Sequence, residues 1–314
     1  MDLFGINNGQ HNHLKGILLM TGAGLCWSTG GIFVRSVDIT NSWEIAFWRS
    51  LAMALVMAVL LSVRHSGRIV QSLTSLGVSG FLAGFFLAMA SVCFILSVTR
   101  TTVANTLVII STAPFLTALA ARLFLGESVA TRSYVAMAIA LTGISAMCAD
   151  SIGGGALIGN LLAGAVALAF AASVVLLRYS RAQADMSPTV LVAGVFALII
   201  ALPLSFPFHA SWQDIGTLAC MGTFQTGLGC VLMTLASRHI SAAEIGLLSL
   251  LETTLGPVWV WIGVGERPSD LALLGGAVVV TSLVINELVG VYRPAQPSRS
   301  GETVEETVAV TSVG

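Results

Sequence analysis

The sequence is poor in charge: of 314 residues only 9% are Asp, Glu, Lys or Arg, while 56% are hydrophobic. Soluble domains carry about 25% charged residues. Too few charges exist to cover a surface facing water, so the chain reads as an integral membrane protein. A net charge of −1 leaves no basic footprint and excludes nucleic acid as a partner. Cysteine is scarce as well. Cys26, Cys93, Cys148, Cys220 and Cys230 each stand alone in apolar surroundings, which excludes a disulfide framework and a thiolate zinc site. His11 and His13 lie together in the polar N-terminus, but two imidazoles alone make no site, and no metal or cofactor is expected. Ser, His and acidic residues do not converge at any catalytic spacing. The segment "GVGERPS" (263–269) lacks the Gly-Lys-Ser/Thr ending of a phosphate loop. No catalytic residue is assigned, and the chain is not expected to be an enzyme.

What is present is length of apolar chain. A helix crossing ~30 Å of hydrocarbon needs about 20 apolar residues. Charges, Pro/Gly clusters and cap residues divide the chain into segments 14–35, 43–63, 74–98, 102–124, 131–149, 156–178, 187–208, 212–236, 242–264 and 270–291. Thr131 precedes the fifth, and Pro268-Ser269-Asp270 precedes the tenth. No segment alternates as a membrane β-barrel strand would. The first is too long and too weakly flanked for a cleaved signal peptide. An all-α membrane fold with ten transmembrane helices is expected. Nine cations (Lys15, Arg64, Arg68, Arg132, Arg178, Arg181, Arg238, Arg293, Arg299) fall on the N-terminal side and three (Arg35, Arg100, Arg267) on the other. The positive-inside rule then puts both termini in the cytoplasm. Residues 292–314, rich in Pro, Ser and Glu, read as a disordered cytoplasmic tail.

The two halves echo each other. "KGILLMTGAGLCWSTGGIFVR" (15–35) lies over "IGNLLAGAVALAFAASVVLLR" (158–178), pairing Gly16 with Gly159, Trp27 with Phe170 and Arg35 with Arg178. Gly126-Glu127 likewise lies over Gly265-Glu266. Two five-helix units, 14–149 and 156–291, follow. Five is odd, so equivalent parts must run in opposite directions, an arrangement that puts a binding site near the midplane where the halves meet.

Four segments, "CWSTGGIFVR" (26–35), "WEIAFWRS" (43–50), "APFLTALAARLFLGE" (113–127) and "LLETTLGPVWVWIGVGE" (250–266), resemble the drug/metabolite transporter superfamily, in its ten-helix bacterial branch with two EamA-type domains. The likeness covers about 15–291. It implies two inverted repeats around a central cavity lined by helices one, three, four, six, eight and nine. It also implies a secondary transporter of the cytoplasmic membrane that exports small metabolites, amino acids first, by alternating access. Export of drugs or other metabolites is the alternative within the superfamily; a lipid-modifying membrane enzyme or a non-transporting scaffold are the alternatives outside it. The expected partners are a small-molecule cargo and membrane lipid, with a monomer left open as the assembly. Two departures stand out. Thr253 follows Glu252 where relatives have proline, which here comes at Pro257, and "VLVAGVFALI" (190–199) has no counterpart to Arg49.

Inside the spans, Glu252 lies about ten residues deep, near the bilayer centre. A charge there costs about 2.5–3.5 kcal/mol on insertion scales. It is either a proton-titrating or amine-binding carboxylate, or a structural acid, protonated or paired in the bundle. Arg49, about six residues in from the outer end, has four options: snorkelling, pairing with Glu44, guarding the outer mouth, or reaching toward Glu252. Cavity candidates are Trp27, Ser28, Phe85, Asn105, Thr112, Phe170, Gln225, Glu252 and Thr253. Gating or coupling candidates are Arg49, Glu252, Pro114 and Pro257. Pro257 removes a helix hydrogen bond and frees the carbonyl of Thr253, and Pro114 does the same in the fourth span. Such irregular backbone survives at membrane depth only where protein or a watery cavity satisfies it.

Overall fold

The computed structural model describes residues 8–64, 69–101, 103–148, 157–180, 187–264 and 270–292. The expected tail at 292–314, apart from Tyr292, and Glu266 fall outside them. The described chain is helical, with no strand. Its helices are α1 (Asn8–Ser28), α2 (Gly30–Arg35), α3 (Ser42–Arg64), α4 (Ile69–Thr74), α5 (Gly77–Val98), α6 (Val103–Ile110) and α7 (Ala113–Ala120). They continue with α8 (Thr131–Cys148), α9 (Leu157–Ser180), α10 (Pro188–Ser205), α11 (Trp212–Cys220), α12 (Gly229–Ala236), α13 (Ala242–Val264) and α14 (Asp270–Tyr292). Two π-helical stretches, Ala121–Leu125 and Met221–Leu228, continue α7 and join α11 to α12.

Eight of these runs are long and apolar enough to cross a membrane, which makes the chain a multi-pass membrane protein. The expected ten is therefore not reached by this measure. The fifth segment, α8, opens on the polar Thr131-Arg132-Ser133, and in the tenth, α14, the measure covers only the described side chains of Leu273–Asn286. These two helices pack on each other. Ser133 bonds Asn286 at 3.3 Å, Arg132 donates to the Val289 carbonyl at 3.2 Å, and a β-carbon at Gly143 would lie 2.9 Å from the Gly275 carbonyl oxygen. Small residues of this kind let membrane helices approach closely.

Helix ends follow local chemistry. Ser211 and Asp214 form a reciprocal capping box at the start of α11. Ser241 and Glu244 form the same exchange at the start of α13, at 2.8 and 3.2 Å. Each pair satisfies orphan N–H groups of the first turn. Between α6 and α7 the helix breaks at Ser111-Thr112, just ahead of Pro114. Proline has no N–H for the Ile110 carbonyl four residues back, and next to it the hydroxyls of Ser111 and Thr112 donate to the Val108 and Ile109 carbonyls. Pro257 behaves differently: α13 stays helical across it.

Packing relates the halves by exchange. α1 packs on α13 as α9 packs on α6 and α7; α3 packs on α10, and α8 on α14. A β-carbon on Gly16 would come within 2.6 Å of Ile240, and one on Gly159 within 2.6 Å of Thr101, so equivalent glycines meet equivalent loops. Arg178, at the far end of α9, reaches Ser237 in the loop that Gly16 touches. Equivalent helices α1 and α9 thus start at opposite ends of the bundle.

Candidate functional site

A cavity of about 110 Å³ lies between the halves. One water needs at least about 10–15 Å³ of such space, so the cavity has room for several. Its wall takes Trp27 from α1, Arg49 and Met53 from α3, Leu87, Ser91 and Phe94 from α5, and Leu107, Ile110 and Ala113 from the broken fourth span. The other half supplies Val166 and Phe170 from α9, Ala193 from α10, Gln225, Thr226 and Cys230 around the π-helical stretch, and Ser249, Glu252 and Thr253 from α13. The second and seventh spans therefore join the six that the resemblance implied.

Two charges face this space. Glu252 is half-buried on the cavity wall and makes no hydrogen bond or ion pair with the described residues. Arg49 is 2% exposed, so it does not snorkel outward. Its Nη2 donates to the Ser91 carbonyl at 2.8 Å and to Ser91 Oγ at 2.6 Å, and its Nε is buried with no partner. It does not pair with Glu44. That carboxylate is fully buried and accepts from the His209 and Ala210 backbone N–H groups at 2.9 and 2.8 Å and from Trp48 Nε1 at 3.3 Å. No ion pair within 4.0 Å joins Arg49 to Glu252. The tether to Ser91 on α5 holds the guanidinium back from α13.

Around the charges, Trp27 and Phe170 meet edge to face with ring centres 6.1 Å apart. These are the two residues the repeat pairs. Gln225 donates to the Trp27 carbonyl at 3.3 Å and accepts from Thr226 Oγ1 at 2.6 Å. It sits in a π-helical stretch, a feature frequent at functional sites. Gly222 in that stretch lets α3 pass so closely that any β-carbon would strike the Arg49 carbonyl oxygen, and Gly229 does the same for the Trp27 ring.

Of the residues expected at a site, Trp27, Arg49, Phe170, Gln225, Glu252 and Thr253 line the cavity together. Ser28 does not: it is buried and accepts from Trp259 Nε1 at 2.7 Å, locking α1 to α13. Phe85 packs on Phe86 and Phe196 at the outer side of α5. Thr112 turns back on its own helix beside Pro114 at the break. The side chains of Asn105 and Pro257 lie outside the described residues. Ser91, Ser249 and Cys230 were missed. Ser249 stands one turn before Glu252 and Thr253 on the same helix face, a spacing legible in the sequence.

One end of the bundle is tied across the halves. Arg178, 8% exposed, bonds Glu127 through Nε at 3.0 Å and also through Nη2, and donates to the Ser237 carbonyl at 2.9 Å. The other Glu127 oxygen accepts from the Ala242 N–H at 3.1 Å, at the head of α13. Gly126, at φ 65°, makes the left-handed turn that aims Glu127 there. Glycine takes that conformation without a β-carbon penalty. Beside this knot, His13 Nε2 meets Glu244 Oε1 at 2.9 Å. The His239 imidazole is held below its usual range by burial and by Lys15 and Arg238.

Comparison with known proteins gives three findings. The model of the EamA-like transporter family matches twice, at residues 14–148 and 157–287. The pseudopaline exporter of Pseudomonas aeruginosa, in two strains (UCBPP-PA14 and PAO1), is 24% identical over 275 residues, covering 86% of this chain and 95% of that protein. A crystal structure of a protein 15% identical superposes with a TM-score of 0.74, over 90% of this chain and 100% of the other. At that identity it speaks for the fold alone.

Proposed function

The chain belongs to the EamA-like transporter family, a multi-pass membrane transporter rather than an enzyme, and from that premise we propose that it exports small polar or amphipathic metabolites, amino acids first, by alternating access. The observation that carries the reading is one cavity, at the junction of two oppositely running halves, that presents both an acid and a base. In this reading all ten helical segments cross the cytoplasmic membrane, α8 and α14 included. Both termini face the cytoplasm, in keeping with nine cations on that side against three. Trp27, Phe170, Gln225, Glu252 and Thr253 contact the cargo, and Arg49 and Glu252 govern its entry and release. The break at Pro114 gives the wall a place to bend.

A second reading takes a cargo like pseudopaline, and the likeness to that exporter over 86% of the chain favours it. Proteoliposomes loaded with labelled amino acids, one at a time, test the first. Saturable efflux of at least one, above that of empty liposomes, is expected. Efflux of pseudopaline with none of any amino acid replaces the first reading by the second.

A further inference from the structure

We infer that the central cavity selects a zwitterion, seating the cargo's carboxylate against Arg49 and its ammonium group against Glu252; this rests on the exporter reading and names the charge class of its cargo. Two other acids inside the bundle are occupied among the described residues. Glu44 is filled by two backbone N–H groups and Trp48, and Glu127 by Arg178 and the Ala242 N–H. Glu252 is left with no hydrogen bond on a wall that is otherwise largely aliphatic and aromatic.

Arg49 is left short as well. Guanidinium has five N–H donors in a planar fork, and here only Nη2 is used. Nε is sealed from solvent without a partner. Nη1 makes no hydrogen bond, yet it is absent from the sealed, unpartnered atoms, so it has access to the cavity that Arg49 lines. A buried donor left unmade is costly, and a planar carboxylate is the group that suits two adjacent guanidinium N–H donors.

The two opposite charges attract each other across the cavity, yet they remain further apart than 4.0 Å. Ser91 holds one on α5 and the helix holds the other on α13. A cargo carrying one charge would satisfy one group and face the other with like sign. A cargo carrying both satisfies each, and its apolar body meets Trp27, Phe94 and Phe170.

The test uses three ligands of one shape: phenylalanine, phenylalaninamide (cation only) and 3-phenylpropionate (anion only). Binding is read as thermal stabilisation of the detergent-solubilised full chain, and transport as counterflow of labelled phenylalanine in proteoliposomes. In the wild type, phenylalanine should stabilise and compete at least tenfold more strongly than either analogue. Glu252→Gln should bring 3-phenylpropionate level with phenylalanine, and Arg49→Gln should do so for phenylalaninamide. Equal action of a singly charged analogue on the wild type overturns the inference, and needs no variant to fold. So does the failure of all twenty amino acids to stabilise the chain. Stabilisation by phenylalanine without counterflow supports the zwitterion site and removes the export reading; counterflow blocked equally by all three does the reverse.

Discussion

Glu127→Ala should loosen the knot that ties α7, α9 and α13 at one end. The substitution removes two charge-assisted bonds to Arg178 and one to the Ala242 N–H, leaving the guanidinium with only the Ser237 carbonyl among the contacts described above. Removing one partner of a fully buried ion pair costs about 3–5 kcal/mol, and hydrogen bonds to charged groups are worth about 1.5–3 kcal/mol each. Here the Arg178 side chain is 7% exposed but that of Glu127 is 20% exposed, so water takes back part of the loss. About 2–3 kcal/mol remains. At roughly 2–4 °C per kcal/mol for a chain of this order, the detergent-solubilised protein should melt roughly 4–12 °C lower. Arg178→Met should cost less, because it removes the buried charge along with its bonds, and the double variant should recover part of the Glu127→Ala loss. If the knot also guards the cavity from that end, Cys230, 3% exposed on the wall, should react faster with a soluble maleimide in Glu127→Ala. A melting point within 1 °C of the wild type, or losses that simply add, would refute the reasoning.

Gly222→Ala drives a methyl group into the Arg49 carbonyl. Overpacking of this kind costs about 1–3 kcal/mol, so thermal melting should fall by several degrees, while Gly164→Ala, which meets nothing within 4 Å, should leave it unchanged. Ser91→Ala removes the 2.6 Å acceptor of Arg49 and should raise the KM for cargo while sparing expression and melting; an unchanged KM would show that the tether does not position the guanidinium. Glu252→Gln should abolish the pH dependence of flux in a series from pH 5 to 9, and a profile parallel to the wild type would reject proton coupling through this residue. His239, held below its usual range, disfavours protonation in the folded chain. Stability should therefore decline as pH falls through about 6.5, the unfolded value for histidine, and His239→Gln should flatten that decline in a melting series.

The membrane fold was legible because length and lack of charge leave few alternatives, and the repeat because Gly16 and Gly159 must be small where loops press on them. Glu252 and Arg49 were legible as lone charges at depth. Which way a residue faces was harder. On α5 the cavity takes Leu87, Ala90, Ser91 and Phe94, a stripe at helical spacing, and Phe85 lies about 170° from its centre at ~100° per residue. Without the helix's rotation, its aromatic ring was as good a candidate as Phe94. Ser28 differs from Trp27 by a single step, enough to turn it from the cavity to Trp259. The bond between Glu127 and Arg178 joins residues 51 apart in different halves, and nothing local announces it. The polar start of α8 is used on its neighbour, where Ser133 and Arg132 bond Asn286 and the Val289 carbonyl of α14.

Trp27 and Phe170 touch at the place where the two halves exchange into one another. Under the proposed alternating access, a rocking motion that trades the roles of the halves would carry this contact onto itself, making it a fulcrum with the same partners in the inward-facing and outward-facing forms. Reshaping it alters both endpoints alike. Its effect therefore falls on the height of the pass between them, and on turnover speed, more than on which side the protein prefers to face.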